Sequence, residues 1–226
     1  VYEFRIREDV FFHQHPAFGK SKTRKVNASD FAFSLKRLLD PQLASPGGWV
    51  LQNVERIEAK NDQLLIITLK QPFPAFLGLL SMRYCSVVPK EIVTKTEGNF
   101  RKNPIGTGPF AFKYWEEDVK LVLRKNPLYF ERDDLGLSLP YLESISISFV
   151  PDKQSEFMLF LQEKLDILNT LDNSYKDELL TQQGTLTEKY KEKINLQKGS
   201  YLNTEYLGFY LDSPSPVIKS PLIREA

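Results

Sequence analysis

Hydrophobic and polar residues alternate in several short segments of the chain, and this period of two predicts β-strands. The opening residues VYEFRI show the pattern from the first position. Further strands are predicted for the segments VERIEAK, QLLIITLK, FAFKYW, VKLVLRKN, CSVV, SISISFV, DIL, INLQ and EYLGFYL. The first four of these segments form two predicted hairpins, and the second hairpin is expected to place Phe110, Phe112 and Tyr114 on one face.

Apolar residues at helical spacing separate these strands. NASDFAFSLKRLLDP has the clearest helix signals, because Asn27 can cap it, Asp30 stands three residues later and Pro41 ends it. Other helices are predicted for Phe76–Leu80, PKEIVTKT, DKQSEFMLFLQEKL with Asp152 as its cap, and YKDELLTQQ with Ser174 and Asp177 as a capping box. Since helices alternate with strands and hairpins interrupt them, the predicted fold class is α/β with a mixed sheet.

Composition limits the function classes. The 226 residues are 42% hydrophobic and 26% charged, which is typical of a globular protein. Thirty basic and twenty-nine acidic residues give a net charge of +1, which argues against a nucleic-acid partner. Residues 20–25 form a basic run that we interpret as a solvated loop. Because the chain opens in a strand and stops at SPLIREA, we expect it to be a fragment of a longer protein.

The segment NPIGTGPF is the most distinctive turn. A phosphate-binding loop needs free N–H groups leading into a helix, whereas Pro109 removes a donor and the next element is a predicted strand. We therefore interpret Gly106, Thr107, Gly108 and Pro109 as a structural turn. Its glycines allow positive φ or a close backbone approach, and the turn directs the hairpin that follows.

Candidate chemistry is sparse. His13 and His15 share a face if extended and are either metal ligands or loop residues, but no third ligand is recognisable nearby. Cys85 is either a nucleophile or a small core residue. We predict no catalytic residue, no metal site and no cofactor.

Two residues favour ligand binding. Trp49 follows Gly47 and Gly48 and either projects into a cleft or fills the core. Arg83 stands between the apolar runs FLGLLSM and YCSVV, so it is expected to be half-buried. A half-buried arginine needs a carboxylate partner, from the protein or from a ligand.

Four segments, VYEFRIREDVFF, NASDFAFSLKRLLDP, PIGTGPFAFKYW and LESISISFVPDKQSEFMLFLQEKLDIL, carry a family resemblance. They resemble the extracytoplasmic solute-binding proteins of the peptide/nickel class, which are receptors of ATP-driven peptide importers. The turn PIGTGPF with the later NPLYF is the most specific part. The stretch FHQHPAFGKSKTRKVNASD departs from the family pattern, and this insertion at 13–26 is expected to alter or add a contact.

The resemblance implies a two-lobed clamp of the class II periplasmic-binding-protein type, of which residues 1–226 are most of the first lobe. Residues 8–100 are expected as a subdomain, 101–212 as the main sheet region and 213–226 as the start of the crossover to the second lobe. The implied ligand-binding residues are Trp49, Arg83, Tyr84, Gly48, Thr204 and Tyr206.

The resemblance also implies a non-enzymatic, monomeric lipoprotein in the periplasm or at the cell surface, with a peptide ligand and an ABC permease as partners. A metal-chelate receptor of the nickel type remains an alternative, supported by Arg83. A peptide or sugar hydrolase, and a clamp without a transport role, also remain open. Because one lobe supplies only half of the contacts, we expect the 226-residue chain alone to bind ligand weakly.

Overall fold

This computed structural model describes residues 1–95, 100–200, 203–206 and 208–222. The chain divides into two units, Val1–Pro151 and Asp152–Ala226. The strands are β1 (Tyr2–Arg5), β2 (Val54–Ala59), β3 (Leu64–Leu69), β4 (Phe110–Glu116), β5 (Lys120–Lys125) and β6 (Ser144–Ser148). The helices are α1 (Ala28–Leu38), α2 (Phe76–Leu80), α3 (Lys90–Lys95), α4 (Lys153–Leu161), α5 (Lys176–Leu179) and α6 (Pro216–Lys219).

The first sheet of unit one has the order β1-β3-β2, and α1 packs against it. The hairpin β2–β3 and the helix α1 are confirmed predictions. Asn27 caps α1 by accepting from the Asp30 N–H, while the Asp30 side chain accepts from the Asn27 N–H, which completes the capping box. Leu35 of α1, Ile57 of β2 and Ile67 of β3 are buried in the shared core. Burial of this apolar face stabilises the layer.

The second sheet has the order β4-β5-β6. The predicted hairpin β4–β5 is confirmed, but the common face of its aromatic residues is not. The register shifts between Phe112 and Tyr114, because Phe112 pairs with Leu123 whereas Tyr114 pairs with the adjacent Val122. Neighbouring residues of a strand point to opposite faces, so this bulge turns Tyr114 away from the face of Phe112.

The α/β class is confirmed, but the predicted mixed sheet is wrong, because every strand pair in the described ranges is antiparallel. Three of the strands predicted before residue 200 are wrong. The segment CSVV begins in a 3-10 turn, Arg83–Cys85, and neither DIL nor INLQ forms a strand. Since a strand needs a partner for its backbone groups, an alternating segment with no adjacent strand stays irregular.

The second unit is small and has its own apolar cluster, which contains Phe157, Leu179 and Tyr190. Helix α4 is capped by Asp152, as predicted, because its carboxylate accepts from the Ser155 N–H. The predicted capping box at Ser174 is wrong: Ser174 lies in a 3-10 turn that Asp172 caps. None of the helices in the described ranges has the length and apolar character needed to cross a membrane.

Arg24 joins three separate segments of unit one. Its five guanidinium N–H groups have five contacts: two with Asp30 at 2.7 Å, two with Glu91 at 2.6 and 2.7 Å, and one with the Lys25 carbonyl at 3.0 Å. The guanidinium also lies 5.0 Å from the centre of the Phe12 ring. Asp30 is buried and Arg24 is only partly exposed. The basic segment is therefore not simply a solvated loop.

Replacing Arg24 by lysine should destabilise the protein by at least about 2 kcal/mol, because an ammonium group has three donors and cannot replace the planar five-donor fork. Chemical denaturation would measure the free energy of unfolding. Arg7→Lys is the matched control, since Arg7 also makes a bidentate pair, with Asp9, but on the surface. Equal losses in the two variants would contradict the assigned role of Arg24.

Candidate ligand-binding site

Two turns that are distant in sequence meet through a glycine. Gly47 lies against the ring of Tyr84 so closely that a Cβ atom at Gly47 would stand 2.5 Å from the Tyr84 Cγ. A Cβ atom at Gly48 would stand 2.9 Å from the Leu38 carbonyl oxygen. Both distances are shorter than van der Waals contact, so neither position has room for a side chain. Gly47 thus allows the Trp49 turn to approach the Arg83 turn, and Gly48 allows it to approach the end of α1.

Trp49 projects from its turn and does not fill the core. It lies in the 3-10 segment Gly48–Leu51, whose following residues Val50 and Leu51 are buried and fix the turn to the sheet. The Trp49 side chain itself remains 49% exposed. Of the two alternatives, the core-filling role is therefore wrong. An exposed indole on a fixed turn offers a flat apolar surface to a ligand.

Arg83 is exposed, so the expectation of a half-buried arginine is wrong. The reason is that Arg83 opens a 3-10 turn and does not continue an apolar strand. Its guanidinium carbon lies 5.6 Å from the centre of the Tyr84 ring. No ion pair is recorded for Arg83 in the described part of the chain, so its charge is available to an anionic group.

Thr204 and Tyr206 lie in the second unit. Both are exposed, and the strand predicted there is wrong, because residues 203–206 are irregular. Part of that prediction, at residue 207, falls outside the described residues. A ligand-binding role for Thr204 and Tyr206 stays a prediction.

The segment NPIGTGPF is held by two buried polar side chains. The His13 ring contacts it twice, since Nε2 donates to the Gly108 carbonyl (2.9 Å) and Nδ1 accepts from the Gly106 N–H (3.4 Å). The His13 backbone N–H also donates to the Gly106 carbonyl (2.8 Å). Asn126 Nδ2 donates to the same Gly108 oxygen at 2.9 Å. Sequence reasoning missed Asn126, although it lies in the quoted segment NPLYF. Neither Gly106 nor Gly108 has a positive φ.

These contacts define the protonation state of His13. A carbonyl can only accept, so Nε2 carries a proton, whereas Nδ1 accepts from the Gly106 N–H and carries none, which makes the ring neutral. Burial lowers the pKa of His13 below its ordinary value of 6.5. The His15 ring is also hydrogen-bonded within the protein, since its Nδ1 accepts from the Ala17 N–H at 3.2 Å. Among the described residues, no group of three or more His, Cys, Asp or Glu side chains is placed to hold a metal ion.

Cys85 is partly buried, and its thiol lies 3.7 Å from the Leu79 carbonyl oxygen. Burial raises the pKa of the thiol above its ordinary value. Because the thiolate is the reactive form, a raised pKa makes this cysteine a weaker nucleophile at neutral pH. The surroundings therefore favour the structural role over the catalytic one.

The α/β fold is that of the class II periplasmic binding proteins, and solved structures show this directly. A DppA protein from Helicobacter pylori in complex with the peptide STSA is 26% identical and has a TM-score of 0.67. The aligned region covers 79% of this chain and 36% of the DppA chain. NikZ from Campylobacter jejuni in complex with Ni(L-His) is 25% identical and has a TM-score of 0.59. The aligned region covers 73% of this chain and 31% of the NikZ chain.

Residues 1–226 match the bacterial extracellular solute-binding proteins, family 5 Middle, and the chain belongs to this family. The probable di/tripeptide-binding protein 5 of Pseudomonas aeruginosa is 31% identical over 169 residues, which is 67% of this chain and 30% of the relative. The chain thus spans about a third of the length of the relatives it matches.

Gly47→Ala should destabilise the protein by about 2 kcal/mol, because the added methyl group meets the fixed Tyr84 ring and forces the turns apart. Thermal unfolding would measure the loss. Gly78→Ala is the matched control, since a Cβ atom there meets nothing within 4 Å. Equal stability of both variants would show that Tyr84 moves freely and that the two turns are not held together.

Lowering the pH should destabilise the protein through His13. The folded state lowers the pKa of His13, so its contribution is present above the unfolded pKa of 6.5 and is lost as pH falls towards the lower folded pKa. Urea denaturation between pH 8 and pH 5 would measure the slope. His13→Gln keeps a donor for Gly108 without a titrating ring, so its slope should be smaller. An unchanged slope would contradict the assignment.

Proposed function

We propose that this chain is part of the ligand-binding lobe of an extracytoplasmic receptor that captures peptides for an ABC importer. The observation that carries the proposal is the surface formed by Trp49, Tyr84 and Arg83, which combines an exposed indole with a cation that has no ion pair among the described residues. Peptides offer both complementary features, because they have apolar side chains and a terminal carboxylate. The names of the peptide-binding relatives support the same reading.

The mechanism is closure of two lobes around the ligand. A ligand that contacts both lobes binds the closed state better than the open state, and this difference in affinity shifts the equilibrium towards closure. Trp49 would supply a flat wall for an apolar side chain, and Arg83 would pair with a carboxylate. Gly48 keeps the wall close to α1, while Thr204 and Tyr206 are further candidates for ligand contact.

The receptor role has further consequences. As a member of a solute-binding class, the protein would act without catalysis. It would work as a monomer outside the cytoplasmic membrane, held there by a lipid anchor and delivering its ligand to a permease. Residues 1–226 would form most of one lobe, with 8–100 as a subdomain, 101–212 as the main sheet region and 213–226 leading to the other lobe.

An anionic metal chelate is the second candidate ligand. The exposed Arg83 favours it, because a chelate such as a metal–amino-acid complex presents carboxylates to a cation. The structural similarity to the Ni(L-His) complex of NikZ supports this alternative. Native mass spectrometry of the receptor would separate the two ligands, since a peptide fragments into amino acids whereas a chelate has a metal isotope pattern.

Trp49→Ala and Arg83→Ala should each weaken peptide binding by the receptor about tenfold, the order expected for a central aromatic or arginine contact. Isothermal titration calorimetry with tripeptides would measure the change. Leu77→Ala and Arg56→Ala are matched controls, because Leu77 is similarly exposed and Arg56 already has an acidic partner in Glu58. Affinity that is insensitive to both site variants would reject this surface as the ligand site.

The 226-residue chain alone should bind peptides with a dissociation constant above about 1 μM, because it offers the contacts of one lobe only. A tighter dissociation constant would contradict the two-lobed mechanism while leaving the family assignment intact.

A further inference from the structure

His13 joins three segments of the first unit that are distant in sequence. It belongs to the loop before α1, and its ring bonds to the NPIGTGPF turn at Gly106 and Gly108. The Gly108 carbonyl also accepts from Asn126, which follows β5 and whose backbone N–H donates to the Pro109 carbonyl at 2.8 Å. His13 is 6% exposed and Asn126 is 3% exposed. Because an asparagine does not titrate, His13 is the ionisable side chain of this junction.

The turn offers no acceptor to a second proton on the His13 ring. The Gly106 N–H points at Nδ1, and an N–H group cannot accept a hydrogen bond. A proton on Nδ1 would therefore place two donors face to face, with 3.4 Å between their nitrogen atoms. It would also leave a buried charge without an anionic partner, which is costly. Protonation of His13 thus opposes the contact that holds the ring against the turn.

The charged groups near the junction do not offset this cost. Burial is the larger cause of the lowered pKa of His13, the bond to Gly108 opposes it, and no charged neighbour among the described residues contributes. The charges on the surrounding segments are paired with one another or exposed. They are Arg24 with Asp30 of α1 and Glu91 of α3, Lys125 with Glu143, and the exposed Lys22 and Lys102.

The Arg24 ion pairs hold the same loop, but they respond to a different pH range. The guanidinium lowers the pKa of Glu91 below its ordinary value of 4.5, so this pair is kept at pH 5. A histidine that has left the turn has an ordinary pKa of about 6.5 and is mostly protonated at pH 5. Acid therefore acts on the His13 junction before it acts on the pair between Arg24 and Glu91.

We propose that His13 is an acid-sensitive switch, which holds the NPIGTGPF turn against the loop before α1 when its ring is neutral and releases the turn when its ring is protonated. The loop itself stays attached to α1 and α3 through Arg24. Ile105 of the turn is buried in a cluster with Phe12, so release also exposes an apolar side chain. The open form is therefore a minor state at neutral pH, and acid increases its population.

The switch links the environment of the protein to the attachment of one hairpin. The chain belongs to a family of extracellular proteins, which meet the pH of their surroundings. Since the NPIGTGPF turn leads directly into β4, acid would loosen the hairpin β4–β5 from the loop before α1. The switch does not depend on which ligand the receptor binds, so it stands apart from the proposed function.

Residue-resolved hydrogen exchange of the receptor at pH 7.5 and pH 5 tests the switch. Protection factors are compared, because they correct for the slower intrinsic exchange in acid. If only the open form takes up the proton, with a pKa of about 6.5, the ratio of open to closed forms rises about 30-fold between these pH values. The His13 and Gly106 amides bond across the junction, so their protection should fall by about that factor. The Val26 and Ala28 amides, whose bonds do not cross it, should keep theirs.

Three variants separate the switch from other effects of acid. His13→Gln keeps a side-chain donor without a titrating ring, so the pH response of the Gly106 amide should disappear. His15→Gln is the matched control and should keep the response, because the His15 ring bonds to the Ala17 N–H outside the junction. Ile105→Ala removes an apolar contact and no charge. It should lower protection at both pH values and leave the ratio between them unchanged.

Three results would overturn the proposal. Loss of protection at Val26 and Ala28 by the same factor would mean that acid opens the whole region and not this junction. Protection of the Gly106 amide that is equal at both pH values would show that protonation does not release the turn. A pH response that persists in His13→Gln would assign the effect to another group.

Discussion

The arrangement of the first unit depends on a single, partly buried cation being fully paired. Arg24 has five donors, and each has an acceptor in the described structure. Its pKa is raised, chiefly by the bonds to Asp30, and the same guanidinium lowers the pKa of Glu91. A partly buried cation is costly without partners, so α1, α3 and the loop before α1 must meet at one point. Phe12 from that loop and Ile92 from α3 pack in one apolar cluster.

That constraint explains how the first unit presents its candidate binding surface. The sheet β1-β3-β2 with α1 and α3 forms a frame, and the two 3-10 turns with Trp49 and Arg83 project from it. Because Gly47 has no side chain, the Tyr84 ring can lie against its backbone. The surface thus consists of side chains that the core does not use, on turns that the core holds in place. Such an arrangement limits the entropy lost when a ligand binds.

Much of the fold follows from local patterns, and the differences arise where local patterns cannot decide. The cap of α1 and both hairpins were predictable, because their signals are short-range. Arg24 and Glu91 are 67 residues apart, and no local pattern links them. Likewise, Arg83 looked half-buried from its apolar neighbours, but a turn exposes it. INLQ has the alternation of a strand without an adjacent strand to pair with. At the candidate site, Trp49 and Arg83 could be selected from the sequence, whereas the contact between Gly47 and Tyr84 could not be predicted from it.

The loop before α1 is closed at its base. The His15 N–H donates to the Lys22 carbonyl at 2.7 Å, and the Phe12 N–H donates to the Arg24 carbonyl at 3.0 Å. The intervening Pro16–Ser21 segment is therefore an excursion whose ends are already joined, while its neighbours hold both Arg24 and the NPIGTGPF turn. Ala17 and Phe18 still pack on the Phe12 cluster, so only the exposed tip, residues 19–21, can change in length or charge without moving the core. Among receptors that share this architecture, it is a natural place for lineages to diverge.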